Sequence, residues 1–356
     1  MLSRIAESLY WIGRYVERAE DTARITDVKF HYTLGMGTTP EDETRRQRQW
    51  ESLLAIVGDN RRFALTNAIP NDETVPEYLI MDASNPNSVI SCVARARELA
   101  GGMRHQVASE MWEAINRFHL RLQGRSDQAD GVAIVNPHLF FRSVVEFSHL
   151  FQGVTDSTMP REEGWYFLQA GKFLERAEKT ARALDVNFQL LLADTGGGPE
   201  PAIGPRLEDV PGEPHRWLAL MRSLSAYEAY HKLYRSAVRP RSVIEMLILS
   251  PLFPRSIRFS IGEVEAALAA IAGARPDEGG FTVGQLPWMQ ADRSGQAERA
   301  IGRLRSQLSY STVDEVFQVG LHQYLLALER TCHEVGEHIQ RQYFSPRVLT
   351  PEECIA

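Results

Sequence analysis

The sequence predicts an all-α protein built as tandemly duplicated helical bundles with internal pseudo-twofold symmetry. Three observations carry this. Apolar residues recur at three- and four-residue spacings along most of the chain. Strand-like alternation is scarce, the only marginal run being DGVAIV at 130–135. A distinctive dodecamer occurs twice, as GRYVERAEDTAR at 13–24 and as GKFLERAEKTAR at 171–182.

The first helix is expected over 3–34, from the apolar series Ile5, Leu9, Ile12, Val16, Ala19, Ala23 and Phe30. Ser3 is placed as its cap, and Gly35 and Gly37 as its end. A second helix is expected over 41–66, stopping near Asn67 and Pro70. A third follows Asn85-Pro86 and runs through ISCVARARELAGGMRHQVASEMWEAINRFHLRLQ. A fourth, 137–153, follows an Asn-Pro turn. The plan then repeats as 161–193, 213–238, 241–249, 256–272, 294–309 and 312–343.

The repetition is more than the dodecamer. At an offset of 158, Glu17 meets Glu175, Arg18 meets Arg176, and Asp27, Val28 and Phe30 meet Asp185, Val186 and Phe188. Trp50, Leu53 and Leu54 then match Trp217, Leu220 and Met221 at an offset of 167. YLIMDASNPNSV at 78–89 matches MLILSPLFPRSI at 246–257, at 168. The growing offset fits an inserted Gly/Pro-rich loop at 193–214. The expected units are therefore 1–160 and 161–350. Two long units argue against a solenoid, which stacks three or more short ones.

With 44% hydrophobic residues over 356, the chain has enough apolar material for one or two sizeable cores. A formal charge of −7 argues against nucleic acid as a partner and gives no reason for membrane binding. No apolar run reaches a membrane span, and the N-terminus has no signal-peptide core. Cys92, Cys332 and Cys354 form no metal-ligand cluster and cannot all pair. A cytoplasmic location is the expectation.

On a helical wheel the repeated helix carries a charged stripe beside its apolar centre: Gly13, Glu17, Glu20, Arg24, Asp27 and His31. Its counterpart is Gly171, Glu175, Glu178, Arg182, Asp185 and Gln189. Charges near a buried seam need partners or a ligand. One reading is an ion-pair ladder tying helices together, with the glycine admitting a close neighbour. Another is a cleft between the halves that grips a charged ligand. Carboxylates on facing helices could also hold Mg²⁺. Di-metal helical sites use Glu-x-x-His, however, whereas this pattern is Glu-x-x-Glu, so no metal or cofactor is assigned.

The second repeated motif is a loop-to-helix junction. Ser88 and Ser256 are placed to cap the helices that follow. Arg255 beside such an N-terminus would favour an anion. Arg95, Arg97 and Arg104 add a positive patch, with Arg97 expected to join the charged network. His333-Glu334-Val335-Gly336-Glu337 is not a zinc-protease motif, because the fifth residue is not histidine. Gly196-Gly197-Gly198 has neither a strand before it nor a lysine after it, so it reads as linker. Cys92 and the Trp165-Tyr166-Phe167 cluster read as packing.

The ERAE-x-TAR helices, NPNSV…ARARE, GVTDSTMPREEGW…LERAEKTAR and AYEAY…FPRSI together closely resemble the bacterial alpha-E family, also known as DUF403. The resemblance covers nearly the whole chain. It implies a gene neighbourhood with a circularly permuted ATP-grasp protein and a transglutaminase-like protein, and a system that makes or modifies a peptide. It also maps the family's glutamates and arginines onto Glu17, Glu20, Arg24, Glu175, Glu178, Arg182, Arg97 and Arg255. The resulting expectation is an accessory component binding a peptide ligand or the ATP-grasp partner. The alternative is an enzyme acting on a peptide or amino-acid-like substrate with a glutamate base, Glu17 or Glu175, and metal assistance. The candidate ligand-binding residues are these eight with Asp27, Asp185 and Ser256; no catalytic residue is assigned.

Overall fold

The computed structural model describes residues 1–126, 137–194, 214–273 and 295–344. The 130–135 run, Cys354 and nearly all of the 193–214 insertion lie outside them. Helices account for the described regular structure, and no strand occurs among the described residues.

Helix α1 spans Ser3–Leu34, as its periodicity predicts. Leu2, not Ser3, is its N-cap, and no side chain caps it. Ser3 is already helical, so its hydroxyl is not in the capping position. The expected 41–66 helix is two: α2 (Pro40–Val57) and α3 (Asn60–Ala64). Thr39 and Asp42 form a capping box at the start of α2. Gly58, at φ 83°, stops it, since an α-helix cannot continue through a left-handed residue. A short α4 (Thr74–Ile80) follows, which periodicity did not indicate.

The long helix expected after Asn85-Pro86 is also divided, into α5 (Val89–Gly102) and α6 (Ser109–Ser126), by a turn beginning at Met103. Helix α7 (Pro137–Thr158) runs past its expected end, and α8 (Glu163–Asp194) meets its prediction closely. The expected 213–238 helix breaks at Ser225, φ 51°, into α9 (Pro214–Ser223) and α10 (Tyr227–Tyr234). Next come α11 (Pro240–Leu249), α12 (Ile257–Gly273) and α13 (Gln296–Tyr310). Gly320, φ 93°, separates α14 (Val313–Val319) from α15 (Leu321–Ile339), which ends in a π-helical turn, Gln340–Phe344.

The two 32-residue helices α1 and α8 pack on each other at the centre. Around α1 lie α5 and α7; around α8 lie α12 and α15. Helix α2 also packs against α8, and α9 against α1. The α1–α8 crossing depends on two glycines. A Cβ on Gly13 would overlap the Leu168 carbonyl oxygen, and one on Gly171 would overlap the Tyr10 carbonyl oxygen. Leu168 is Tyr10 plus 158, the offset that relates the two glycines, so the contact is reciprocal. Ala19, Ala23, Ala177 and Ala181 are fully buried and keep the axes close. Larger side chains fill the surroundings, with Leu9, Trp50, Phe188 and Trp217 at 1% exposure or less. Burying each such aliphatic or aromatic group contributes about 1.5–3 kcal/mol. None of the described helices is long and apolar enough to cross a membrane.

Candidate functional site

The glycine crossing sets the α1 and α8 backbones in contact, so the polar residues one and two turns further on must meet. Arg18 donates to both oxygens of Glu175, at 2.8 and 3.0 Å. Arg176 donates to both oxygens of Glu17, at 2.6 and 2.8 Å. The two forks are the same interaction with the halves exchanged. Bidentate pairing of this kind is the strongest an arginine makes with a carboxylate. Glu17 and Glu175 are at most 1% exposed.

Each fork is extended differently. On the Glu17 side, Arg255 comes from the residue before α12's cap and donates to Glu17, Glu20 and Asp21. Arg24 donates to Glu20 at 2.8 Å from the next turn of α1. Helix α7 closes this side: Ser148 donates to Glu20 at 2.5 Å, and Gln152 reaches both Glu20 and Glu17. Burial alone would raise Glu20, but Arg255, His149, Arg24 and Ser148 override it and hold the carboxyl well below its ordinary value. Asp21 goes the other way. Burial, with Glu17 and Glu20 adding to it, pushes it up to about 7 despite Arg255. Its Oδ2 has no hydrogen-bond partner.

On the Glu175 side, Arg14 donates to Glu175 at 2.7 Å and to Glu178. Asn87 occupies the position of Arg255 at the repeat offset and accepts from Arg18 at 2.8 Å. Lys179 stands where the first half has Asp21; its ammonium donates to the Val57 carbonyl at 3.3 Å. Burial would raise Glu175, but Arg18 and Arg14 hold it well below the usual carboxylate range. Both junction serines cap as expected: Ser88 accepts from Ser91 N–H and Ser256 from Phe259 N–H.

The stripe continues outward along each helix. On α1, the Arg24 guanidinium lies 2.9 Å from His149 Nε2, which also stands 3.6 Å from Glu20 Oε1. Asp27 faces His138 of α7, with Nδ1 3.0 Å from Oδ1, and His31 Nδ1 lies 3.3 Å from the same oxygen. On α8, Arg182 donates to Glu329 of α15 at 3.2 Å, and Asp185 meets His322 at 2.7 Å. Burial raises Asp185, with His322 opposing. Exposure separates the two ends. The side chains of His31 and His138 are 53% and 51% exposed, whereas His322 is 28% and Asp185 9%. Among the described residues, Asp27, His31 and His138 bring their ligand atoms close enough to hold a metal.

The structure thus brings Glu17, Glu20, Arg24, Asp27, Glu175, Glu178, Arg182, Asp185 and Arg255 into one region along α1 and α8. Arg97 stands apart: it donates to Asn116 on α6 and lies over the Trp112 ring. Sequence reasoning did not find Arg14, Asp21, His138, Ser148, His149 or Gln152. His138, Ser148, His149 and Gln152 follow helical spacings on α7, but only the tertiary pairing of α7 with α1 gives that spacing a meaning. Cys92 and Cys332 are buried free thiols, and burial pushes Cys92 up to about 12, as packing residues behave.

This chain is similar to uncharacterised proteins of Mycobacterium bovis and Mycobacterium tuberculosis, 23% identical over 184 residues. That match covers 49% of this chain and 21% of each relative, so the aligned part spans about a fifth of those longer proteins. No solved structure matches. The family described as "a predicted alpha-helical domain with a conserved ER motif" matches residues 1–344. Two Glu-Arg dipeptides, Glu17-Arg18 and Glu175-Arg176, form the reciprocal forks at the centre of the molecule, and the chain belongs to this family, Alpha-E.

Proposed function

We propose that the exposed margin of the α1–α7 seam is a site for a peptide or amino-acid-like substrate, and that the protein acts enzymatically on it. The observation carrying this reading is the clustering of Arg24, Asp27, His31, His138 and His149 where the buried network reaches solvent. Arg24 suits a carboxylate and Asp27 an ammonium, so both ends of such a ligand are matched. The glutamate base expected from sequence fits the geometry less well. Every oxygen of Glu17 and Glu175 already accepts from an arginine, and both residues are buried. His149, 60% exposed beside Arg24, is the more accessible candidate for a base.

The same reading includes the finer architecture. We take 1–160 and 161–350 as tandem copies related by a pseudo-twofold axis through the Gly13–Gly171 crossing. The exchanged glycine contacts, the exchanged Arg–Glu forks and the two Asp–His pairs support it. We place the protein in the cytoplasm, working with a circularly permuted ATP-grasp protein and a transglutaminase-like protein on a peptide. A purely accessory role is the second reading. It is favoured by the self-paired centre, which ties helices together and leaves only the margin for a partner.

The deciding experiment reconstitutes the peptide-modifying system with purified partners. His149→Gln should melt close to wild type and Arg24→Gln below it, because Glu20 loses a partner, yet both should lose product formation per folded molecule while still co-purifying with the ATP-grasp protein. Product formation unchanged per folded molecule removes the enzymatic reading. Loss of co-purification, with chemistry intact when the partner is in excess, selects the accessory one.

A further inference from the structure

The two halves place an Asp–His pair at matching positions, Asp27–His138 and Asp185–His322. In both, an acid on a central helix meets a histidine on its flanking helix. That much serves helix packing. The first half adds a third group. His31 lies one turn after Asp27, where the second half has Gln189. Its Nδ1 is 3.3 Å from Asp27 Oδ1, and its ring meets the His138 ring edge-on with centroids 5.1 Å apart. The ligand atoms of Asp27, His31 and His138 all lie within 4.8 Å of one another.

We propose that Asp27, His31 and His138 bind one divalent transition-metal ion, zinc in the first place, with its remaining coordination open to solvent. The spacing fits. Ligands at about 2.05 Å from a tetrahedral metal stand about 3.3 Å apart. The two Nδ1 atoms are 3.0 and 3.3 Å from Asp27 Oδ1. An ion between them would replace the hydrogen bonds that His31 Nδ1 makes to the Asp27 backbone carbonyl and His138 Nδ1 makes to the Asp27 carboxylate, and both histidines are half exposed. Two imidazoles and one carboxylate select Zn²⁺, Co²⁺ or Ni²⁺ over Mg²⁺ and Ca²⁺, which take oxygen ligands. Three protein ligands with an open position is the arrangement of catalytic rather than structural zinc. The exposed edge lies on the same face as Arg24 and His149. A metal there would polarise a carbonyl oxygen beside Arg24, the group assigned to the ligand's carboxylate, and Asp27 would serve the metal in place of the ligand's ammonium. The proposal deepens the substrate-site reading but does not stand or fall with it, because metal binding is measured without substrate or partner.

The test uses the full chain, stripped with a chelator, dialysed and titrated with Co²⁺, whose visible absorption reports nitrogen and oxygen coordination. Zn²⁺ is then added in competition. Wild type should bind one equivalent. His31→Gln, which gives the first half the residue of the second, should weaken binding more than about a hundredfold, beyond what losing an outer partner costs. Its melting temperature should stay unchanged, since the side chain is half exposed. His138→Gln should behave alike and guards against a folding artefact in either variant. Absence of the absorption band, or binding that both variants leave unchanged, overturns the site and marks any uptake as adventitious surface coordination. In that case the ligand assignment to Arg24 and His149 is unaffected.

Discussion

The Glu17 and Glu175 forks share their geometry and differ in what surrounds them. Around Glu17 the additions are acidic, Glu20 and Asp21, and Arg255 reaches in from α12 to balance them. Around Glu175, Glu178 matches Glu20, but Arg14 and Lys179 add positive charge and Asn87 stands in the place of Arg255. Asp21 and Arg255 thus stand at the sequence offsets of Lys179 and Asn87. Buried charge is therefore balanced locally on each side of the crossing, by different residues. The lesson is that the forks set the helix pairing, while the outer charges are free to differ so long as they compensate.

The largest effect is expected from breaking a fork. Glu175→Gln strands Arg18 and leaves Arg14 with Glu178 alone, and Glu17→Gln strands Arg176, in surroundings where these side chains are 17% exposed or less. Each should cost about 3–5 kcal/mol, the penalty for an orphaned buried charge. Urea unfolding measures it. A loss below about 1 kcal/mol in either would mean that the forks are solvated in solution.

Next comes the glycine crossing. Gly13→Ala and Gly171→Ala both push a methyl into a backbone carbonyl that cannot rotate away. Each should destabilise by about 1–3 kcal/mol, as overpacking does. The two costs should be similar. Markedly unequal ones would break the equivalence of the halves at the point where it is closest.

A double exchange sharpens the comparison of the outer charges. Arg255→Asn alone leaves Glu20 and Asp21 short of a cation. Adding Asp21→Lys gives the first half the pair found in the second. The combination should recover about 1 kcal/mol or more of the single variant's loss, a coupling typical of contacting residues. Simple additivity would show that the lysine–asparagine arrangement does not transplant.

The smallest effect is a slope with pH. Asp21 is raised from 3.8 to about 7 in the folded protein. A carboxyl raised on folding stabilises the fold fully below its unfolded value, and that contribution fades as pH rises through the folded one. Between about pH 4 and 7, wild type should therefore lose stability from this group. Asp21→Asn should flatten that part of the profile in thermal melts. Glu20 and Glu175, both lowered, act in the opposite sense and mainly below pH 4.5, so the windows separate. An unchanged slope in the variant would show that Asp21 titrates normally.

Much of this comparison was legible in the sequence because it lies on two long uninterrupted helices. Their apolar period placed α1 and α8 closely, and the repeated dodecamer matched Glu17 with Glu175 and Arg18 with Arg176 by sequence alone. The breaks at Gly58, Ser225 and Gly320 were not legible. Each depends on a single residue with positive φ inside an otherwise helical pattern, and neither Gly nor Ser signals that by itself. The margin of the site was half legible. Asp27 and His31 stood in the stripe, but His138 and His149 belong to a helix whose neighbour the sequence does not name. Arg97 was misplaced for the same reason: spacing puts it on a polar face, and only packing shows that α6 receives it.

The exchanged forks bear on how this chain reaches its native state. Each half contributes carboxylates whose neutralising guanidinium is carried by the other: Glu17 by Arg176, Glu175 by Arg18. A fragment ending before α8 would hold Glu17 with no Arg176 or Arg255, and one beginning at α8 would hold Glu175 with no Arg14 or Arg18. Neither fragment can desolvate its central helix alone. Helix α8 begins more than a hundred residues after α1 ends, so α1 is synthesised first and waits with its inner face wet. Its docking must follow the synthesis of α8, and the expected outcome is that the two halves melt together as a single calorimetric transition.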